Sequence, residues 1–320
     1  MVIRTTFEYK DSKICINDRD ISKNVINIDG IDYYADYIDP IHRNNKGANS
    51  FILVLYQAQK FEDKENSTPE RVIKISKHKD FEQQHSRKND RFYREIEALE
   101  NCTNQNLSHI VTIHYSGQLS CVDNNNKDKK LIFPFYMLDY ASCDLKRYLE
   151  ENHIDYNDKI NLCLELAIGL KDLKELGYYH RDLKPDNILF MYDTWKIGDL
   201  GLIAHRDEDN VYDKKNELIG PKGWLSPEAM NKYLSTDENA DKFDCKIDHQ
   251  SDIFQLGKIF WYIFQGNAPI GCVCRNDYVG KYDDMYSLIK NMLNHSKKKR
   301  PSTIDYVIDT LKRFKRKYNA

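Results

Sequence analysis

Tyr179-His180-Arg181-Asp182-Leu183-Lys184-Pro185-Asp186-Asn187-Ile188-Leu189, with Lys196-Ile197-Gly198-Asp199-Leu200-Gly201 close behind it, is the stretch from which the rest of this 320-residue chain is read. Around it apolar residues recur at helical spacing, from Lys159 to Leu176 upstream and over Ile253 to Phe264, Met285 to Leu293 and Ile304 to Phe314 downstream. Before about Asp144 the pattern is different. Val25 to Ile28 and Ile31 to Tyr34 flank Asp29-Gly30, a pair that supplies the positive φ of a tight hairpin, and Phe51 to Ala58 and Arg71 to Ser76 predict further strands. Lys60 to Glu70, which contains Pro69, reads as a loop, and Asp123 to Lys130 as an exposed hairpin loop. Phe92, Ile96 and Leu99 give this half one helix. The expected fold class is α+β: a small antiparallel strand-rich lobe with one main helix, then a larger helical lobe, with a cleft between them.

Composition narrows the function. With 41% hydrophobic and 31% charged residues the chain can bury a core and is too apolar to be disordered. A net charge of -2 makes no demand for nucleic acid or an anionic membrane. The longest apolar runs, Phe51 to Tyr56 and Ile259 to Phe264, fall far short of the roughly 20 residues that cross a bilayer. The opening residues carry no apolar signal segment, so a reducing cytoplasm is the expected compartment. Eight cysteines without a CxxC give no metal-ligand spacing. The basic runs Lys297 to Arg300 and Lys312 to Lys317 could touch nucleic acid or acidic lipid, but the second falls on the helix carrying Ile304, Val307, Ile308 and Leu311 and is read as that helix's solvated face, so a nucleic-acid role is not expected.

The two quoted segments resemble the protein kinase family, whose catalytic loop reads H-R-D-L-x-x-x-N and whose metal loop reads D-F-G, here with Leu200 in place of Phe. Lys74, Ser226-Pro227-Glu228, Asp252 and Arg300 follow the family's order, so the resemblance runs from about Tyr33 to the C-terminus. It implies a bilobal kinase fold, with residues 25–140 as N-lobe, 141–320 as C-lobe, and residues 1–24 as an extension to which no role is assigned. It implies that Asp182 receives the proton of the attacking hydroxyl, that Lys184 contacts the γ-phosphate of ATP, and that Asn187 and Asp199 hold two magnesium ions. The substrate would be a protein, through Ser or Thr, as Lys184 suggests. A pseudokinase scaffold, a tyrosine kinase and a small-molecule kinase are the alternatives.

The remaining nucleotide contacts follow from the same resemblance. Lys74, in Arg71-Val72-Ile73-Lys74-Ile75, would hold the α- and β-phosphates. Its partner is Glu95 rather than Glu97, because Glu95 lies beside the face of Phe92 and Leu99. Gly47 begins the phosphate-covering loop, in which Asn49 and Ile52 stand where the family has glycines. Val54, Val72 and Leu189 would sandwich the adenine, Asp139 and Ala141 would offer it hinge backbone after a gatekeeper Leu138, and Asp144 would meet the ribose or a basic substrate residue. Asp252 would anchor the catalytic-loop backbone and Glu228 would pair with Arg300. The short path between those last segments implies a reduced substrate-side helix around Ala268 to Tyr282. Arg181 calls for an anion. Between Asp199 and Ser226 there is neither Ser nor Thr, which leaves Asp207, Glu208, Asp209, Asp213 or Glu217 as partner, phosphorylated Tyr212 as rival, and backbone carbonyls as the plain alternative.

Overall fold

Alternation decides the first strand. In β1 (Val2–Lys10) Ile3 and Phe7 are buried while Val2, Arg4, Thr6, Glu8 and Lys10 face out, the period-2 pattern of a half-buried strand. The computed structural model describes residues 2–38, 50–80, 86–207, 213, 217–235 and 242–318. Residues 1–100 and 112–140 form one unit, and residues 101–111 and 141–320 the other.

The first unit is built from β1, β2 (Lys13–Cys15), β3 (Val25–Ile28), β4 (Ile31–Tyr37), β5 (Ser50–Gln57), β6 (Arg71–Ser76), the helix α1 (Asp90–Asn104) as far as Glu100, β7 (Ile113–Asp123) and β8 (Asn126–Asp139). Strand order is β2-β1-β3-β4-β5-β6-β8-β7, and β1 also pairs with β7, in parallel, so that the sheet closes on itself. The residues without an assigned role therefore remove an edge that would otherwise expose unpaired backbone. Ile3 meets Leu119 in register; between Arg4 and Glu8 the register shifts, and there the Thr5 hydroxyl donates to Ser120 O at 3.2 Å. Inside the closed sheet lie Ile3, Phe7, Ile26, Leu53, Ile73, Leu119, Phe133 and Phe135, among others.

The hairpin expected between Asp123 and Lys130 is present, but its strands reach further into the segment than a loop reading allows: β7 runs to Asp123 and β8 begins at Asn126, with Asp123 facing Asn126 in the ladder. Composition alone could not separate a polar strand end from a loop.

In the second unit, β9 (Cys143–Asp144), α2 (Leu145–Glu151), α3 (Tyr156–Glu175) and β10 (Tyr178–Tyr179) precede β11 (Ile188–Met191), β12 (Thr194–Ile197) and β13 (Ala204–His205). Then come α4 (Pro227–Leu234), α5 (His249–Gln265), α6 (Asp283–Met292) and α7 (Ile304–Tyr318). The central α5 begins with a capping box, Asp248 with Ser251, and ends at Gly266, whose φ of 75° lets it take the left-handed turn that frees a helix from its axis. It buries Ile253, Leu256, Ile259, Phe260 and Ile263. No α-helix forms between Gly266 and Tyr282, only a single 3-10 turn at Arg275–Asp277.

Candidate active site

The catalytic loop joins β10 to β11, and two buried groups set its entry. Asp252, on the first turn of α5, accepts from His180 N and Arg181 N, both at 2.8 Å, one on each carboxylate oxygen. Burial pushes its pKa up to about 7, against those two donors. His180 is fully buried; its Nδ1 accepts from Asp182 N at 3.2 Å, so Nε2 carries the proton and donates to Gly198 O at 3.1 Å. Burial lowers its pKa to about 4, which keeps the ring neutral. One imidazole thus ties the loop holding Asp182 to the segment holding Asp199. Both Arg181, at φ 67°, and Asp199, at φ 55°, adopt left-handed backbone, a conformation non-glycine residues hold only where their surroundings enforce it.

Asp182, Lys184 and Asn187 come together. Asp182 Oδ2 accepts from Lys184 Nζ at 3.2 Å and from Asn187 Nδ2 at 2.9 Å, and the same amide donates to Asp182 O at 2.8 Å. Burial raises the Asp182 pKa, with Lys184 opposing. Both amide hydrogens of Asn187 are spent on Asp182, which leaves its Oδ1 as an acceptor. Asn187 Oδ1 and the exposed Asp199 carboxylate offer hard oxygen donors of the kind magnesium takes, usually one or two from protein with phosphates and water completing the shell. Among the described residues there is no group of three or more His, Cys, Asp or Glu side chains that could cage a metal alone.

Arg181 has a partner. Its Nη1 and Nη2 donate to Asp213 Oδ2 and Oδ1 at 2.8 and 3.0 Å, a two-pronged pair in which the side chains are only 2% and 3% exposed. Lys232 Nζ reaches the same Oδ2 at 2.7 Å, and Arg181 Nε donates to Leu202 O at 2.6 Å. Burial raises the pKa of Asp213, but Arg181 and Lys232 outweigh it and hold the carboxyl below its ordinary value. Glu208, Asp209 and Tyr212 lie outside the described residues. Below the loop, Glu228 and Arg300 pair at 2.6 and 3.1 Å, wholly buried, and Ser251 Oγ donates to Glu228 at 3.1 Å.

In the first unit, period 2 sorts the sheet into faces. Ile52 sits opposite Lys74, Val54 opposite Val72, Lys74 opposite Tyr136 and Val72 opposite Leu138, so these six share one face while Leu53, Ile73 and Met137 point into the closed core. Lys74 Nζ meets Glu95 Oε1 at 2.8 Å, whereas Glu97 is exposed. The Tyr136 hydroxyl donates to the same Glu95 oxygen at 2.8 Å. Asp139 is bound through its carboxylate by Arg71 and by His114 Nε2, the latter at 2.8 Å. Gly47 lies outside the described residues. In the second unit Asp144 caps α2, accepting from Arg147 N at 2.8 Å, and lies opposite Leu189 in the β9–β11 ladder, two residues beyond Ser142 and three beyond Ala141. The sequence reading missed Tyr136, Lys232 and Gln255. Only Tyr136 left a signal, since it alternates with Leu138 along β8.

A closed strand-rich unit bearing a Lys–Glu pair, and a helical unit bearing the Asp182–Asn187 loop, define a protein kinase domain. The chain belongs to the protein tyrosine and serine/threonine kinase family, whose model matches residues 47–308. It is 27% identical over 223 residues to the sensor for unfolded proteins in the ER ire1 of Schizosaccharomyces pombe, covering 57% of this chain and 21% of that protein. It is 27% identical over 175 residues to eukaryotic translation initiation factor 2-alpha kinase 3 of Bos taurus, covering 46% and 14%. With the tyrosine-protein kinase JAK1 of Danio rerio it shares 29% identity over 169 residues, covering 52% and 13%. The matched segment thus spans between 13% and 21% of each relative's length.

Proposed function

We propose that this chain is an ATP- and magnesium-dependent kinase that transfers the γ-phosphoryl group to Ser or Thr hydroxyls of protein substrates. The observation that carries this reading is the Asp182 carboxylate, whose Oδ2 is held by Lys184 and Asn187 while Oδ1 has no hydrogen-bond partner among the described residues. Oδ1 is then the atom that receives the hydroxyl proton, and burial, which raises the Asp182 pKa, makes it a better acceptor. Lys184, one hydrogen bond away, neutralises charge that grows on the transferring group. Asn187 Oδ1 and Asp199 would hold magnesium, which supplies charge neutralisation of the phosphates. Lys74, fixed by Glu95 and Tyr136, would orient the α- and β-phosphates. Val54, Val72 and Leu189 would pack on the base, with Asp139, Ala141 and Asp144 at its edge. The expected compartment is the cytoplasm; among the described residues no helix is long and apolar enough to cross a membrane.

Labelled ATP with magnesium and casein, run beside Asp182→Ala, tests the proposal: label in the wild type alone supports it, and label in neither favours a non-catalytic scaffold. Tyrosine is the second reading. It rests on Pro221, which stands in the segment where serine/threonine kinases place a Thr and whose carbonyl accepts from Trp224 N at 3.0 Å. Phosphoamino-acid analysis showing mainly phosphotyrosine would establish it.

A further inference from the structure

Gln255 lies one turn beyond Asp252 on α5 and is 2% exposed. Its Oε1 accepts from Leu183 N and its Nε2 donates to Arg181 O, each at 3.2 Å. The Arg181 carbonyl belongs to the peptide that enters Asp182, and the Leu183 N–H to the peptide that leaves it. One side-chain amide therefore holds the two peptide planes on either side of the Asp182 Cα, and through them that residue's φ and ψ. The amide's orientation is fixed by its partners, since a carbonyl can only accept and an N–H only donate. Gly220, at φ 113°, packs beside this contact: a Cβ there would lie 3.0 Å from Arg181 O and 3.4 Å from Gln255 Nε2. Asp252 secures the two amides on the way into the loop; Gln255 secures the residue that carries the chemistry.

We infer that Gln255 is a positioning residue for phosphoryl transfer, setting the direction of the Asp182 carboxylate by clamping both of its peptide groups. The inference rests on the kinase reading. Gln255→Met keeps the side chain's length and bulk but removes the hydrogen bonds that Gln255 makes to the Leu183 N–H and the Arg181 carbonyl. A displaced general base costs turnover rather than nucleotide binding, so kcat should fall roughly 10- to 100-fold while KM for ATP stays within about threefold. Gln255→Glu accepts from Leu183 but donates to Arg181 only when protonated; a carboxyl buried at this 2% exposed position is pushed up toward neutral pH, so its deficit relative to wild type should shrink between about pH 8 and about pH 6.

Hydrogen exchange at the Leu183 amide reads the clamp without activity, and in Gln255→Met it should quicken at least about 10-fold while the core of α5 stays protected. A folded Gln255→Met with kcat within twofold of wild type, or with unchanged exchange at Leu183, would overturn the inference. Should Gln255→Met fail to fold, a deficit in Gln255→Glu that does not move with pH overturns it instead. A wild-type chain that transfers no phosphate sinks the kinase reading itself, and the exchange experiment separates that outcome from the absence of the clamp.

Discussion

Asp213→Ala is the most informative single change outside the catalytic loop. The carboxylate faces two cations, Arg181 at 2.8 and 3.0 Å and Lys232 at 2.7 Å. Lys232 is 23% exposed and can turn to water, but Arg181 is 2% exposed and cannot. Removal of one partner from a buried pair leaves the other as an uncompensated buried charge, at about 3–5 kcal/mol. For a unit of this size that loss lowers the melting temperature by roughly 6–20 °C. Activity should fall as well, by at least about tenfold, because Arg181 adjoins Asp182 and its left-handed backbone is sustained by these contacts. Asp213→Asn should be nearly as harmful, since its amide presents N–H to one of the cations. The pair holds the carboxyl below its ordinary value, so it remains charged throughout the neutral range and needs no added phosphate. Phosphatase-treated wild type, verified by mass spectrometry, should therefore keep its rate, as should Tyr212→Phe. Thermal denaturation and a kinase assay well below the melting temperature check both parts. A stability change under about 1 kcal/mol with unaltered kcat would refute the energetic argument; loss of activity on phosphatase treatment and in Tyr212→Phe together would make Tyr212 the switch.

Three further outcomes are expected. Asp199→Asn should reduce transfer by at least about 10³-fold while circular dichroism shows an intact fold, because the charge that would hold magnesium is gone. His180, neutral in the fold with its pKa lowered to about 4, binds a proton only in the unfolded chain over the interval from 6.5 down to that value. Its stabilising contribution is complete above pH 6.5 and is lost as pH falls toward 4; relative to His180→Gln the wild type should lose up to about 1.4 kcal/mol per pH unit there, and a constant difference in urea denaturation contradicts this. Phe7→Ala, at a site with 0% exposure inside the closed sheet, should cost about 3–5 kcal/mol in the first unit, and a cost below about 1 kcal/mol would mean that β1 adds little to that core.

What could be read from the sequence and what could not divides by distance along the chain. The Asp182-to-Asn187 loop, the Asp199 turn and the choice of Glu95 over Glu97 were legible because residue type and local spacing carry them. The closure of the sheet was not: β1 pairs with a strand more than a hundred residues away, and its alternating Ile3 and Phe7 name a half-buried strand without naming a neighbour. Asp144 carried a readable signal, an Asp just before Leu145 and a helix, and the structure uses its carboxylate as that cap. Lys232 and Gln255 gave none, because each acquires its role only when the fold brings Asp213 or the Arg181 and Leu183 peptides against it.

These long-range roles converge on the first turns of α5. Ser251 closes the helix's own capping box and donates to Glu228, the partner of Arg300; Asp252 takes the amides of His180 and Arg181; Gln255 takes the peptides around Asp182. Three residues within five consecutive positions thus fix both the catalytic loop and the buried ion pair beneath it. A helix can do this because positions three and four apart share a face, which sets Asp252 and Gln255 side by side toward the loop while Ile253 and Leu256 anchor the helix in the core. The loop itself has little regular structure between β10 and β11 beyond the short turn at Pro185–Asn187, so its shape is imposed from outside. The reach of α5 into it explains how the placement of one carboxylate can rest on buried polar groups: Asp252 and Gln255 satisfy backbone groups that water cannot reach, and the geometry they impose is expressed at Asp182.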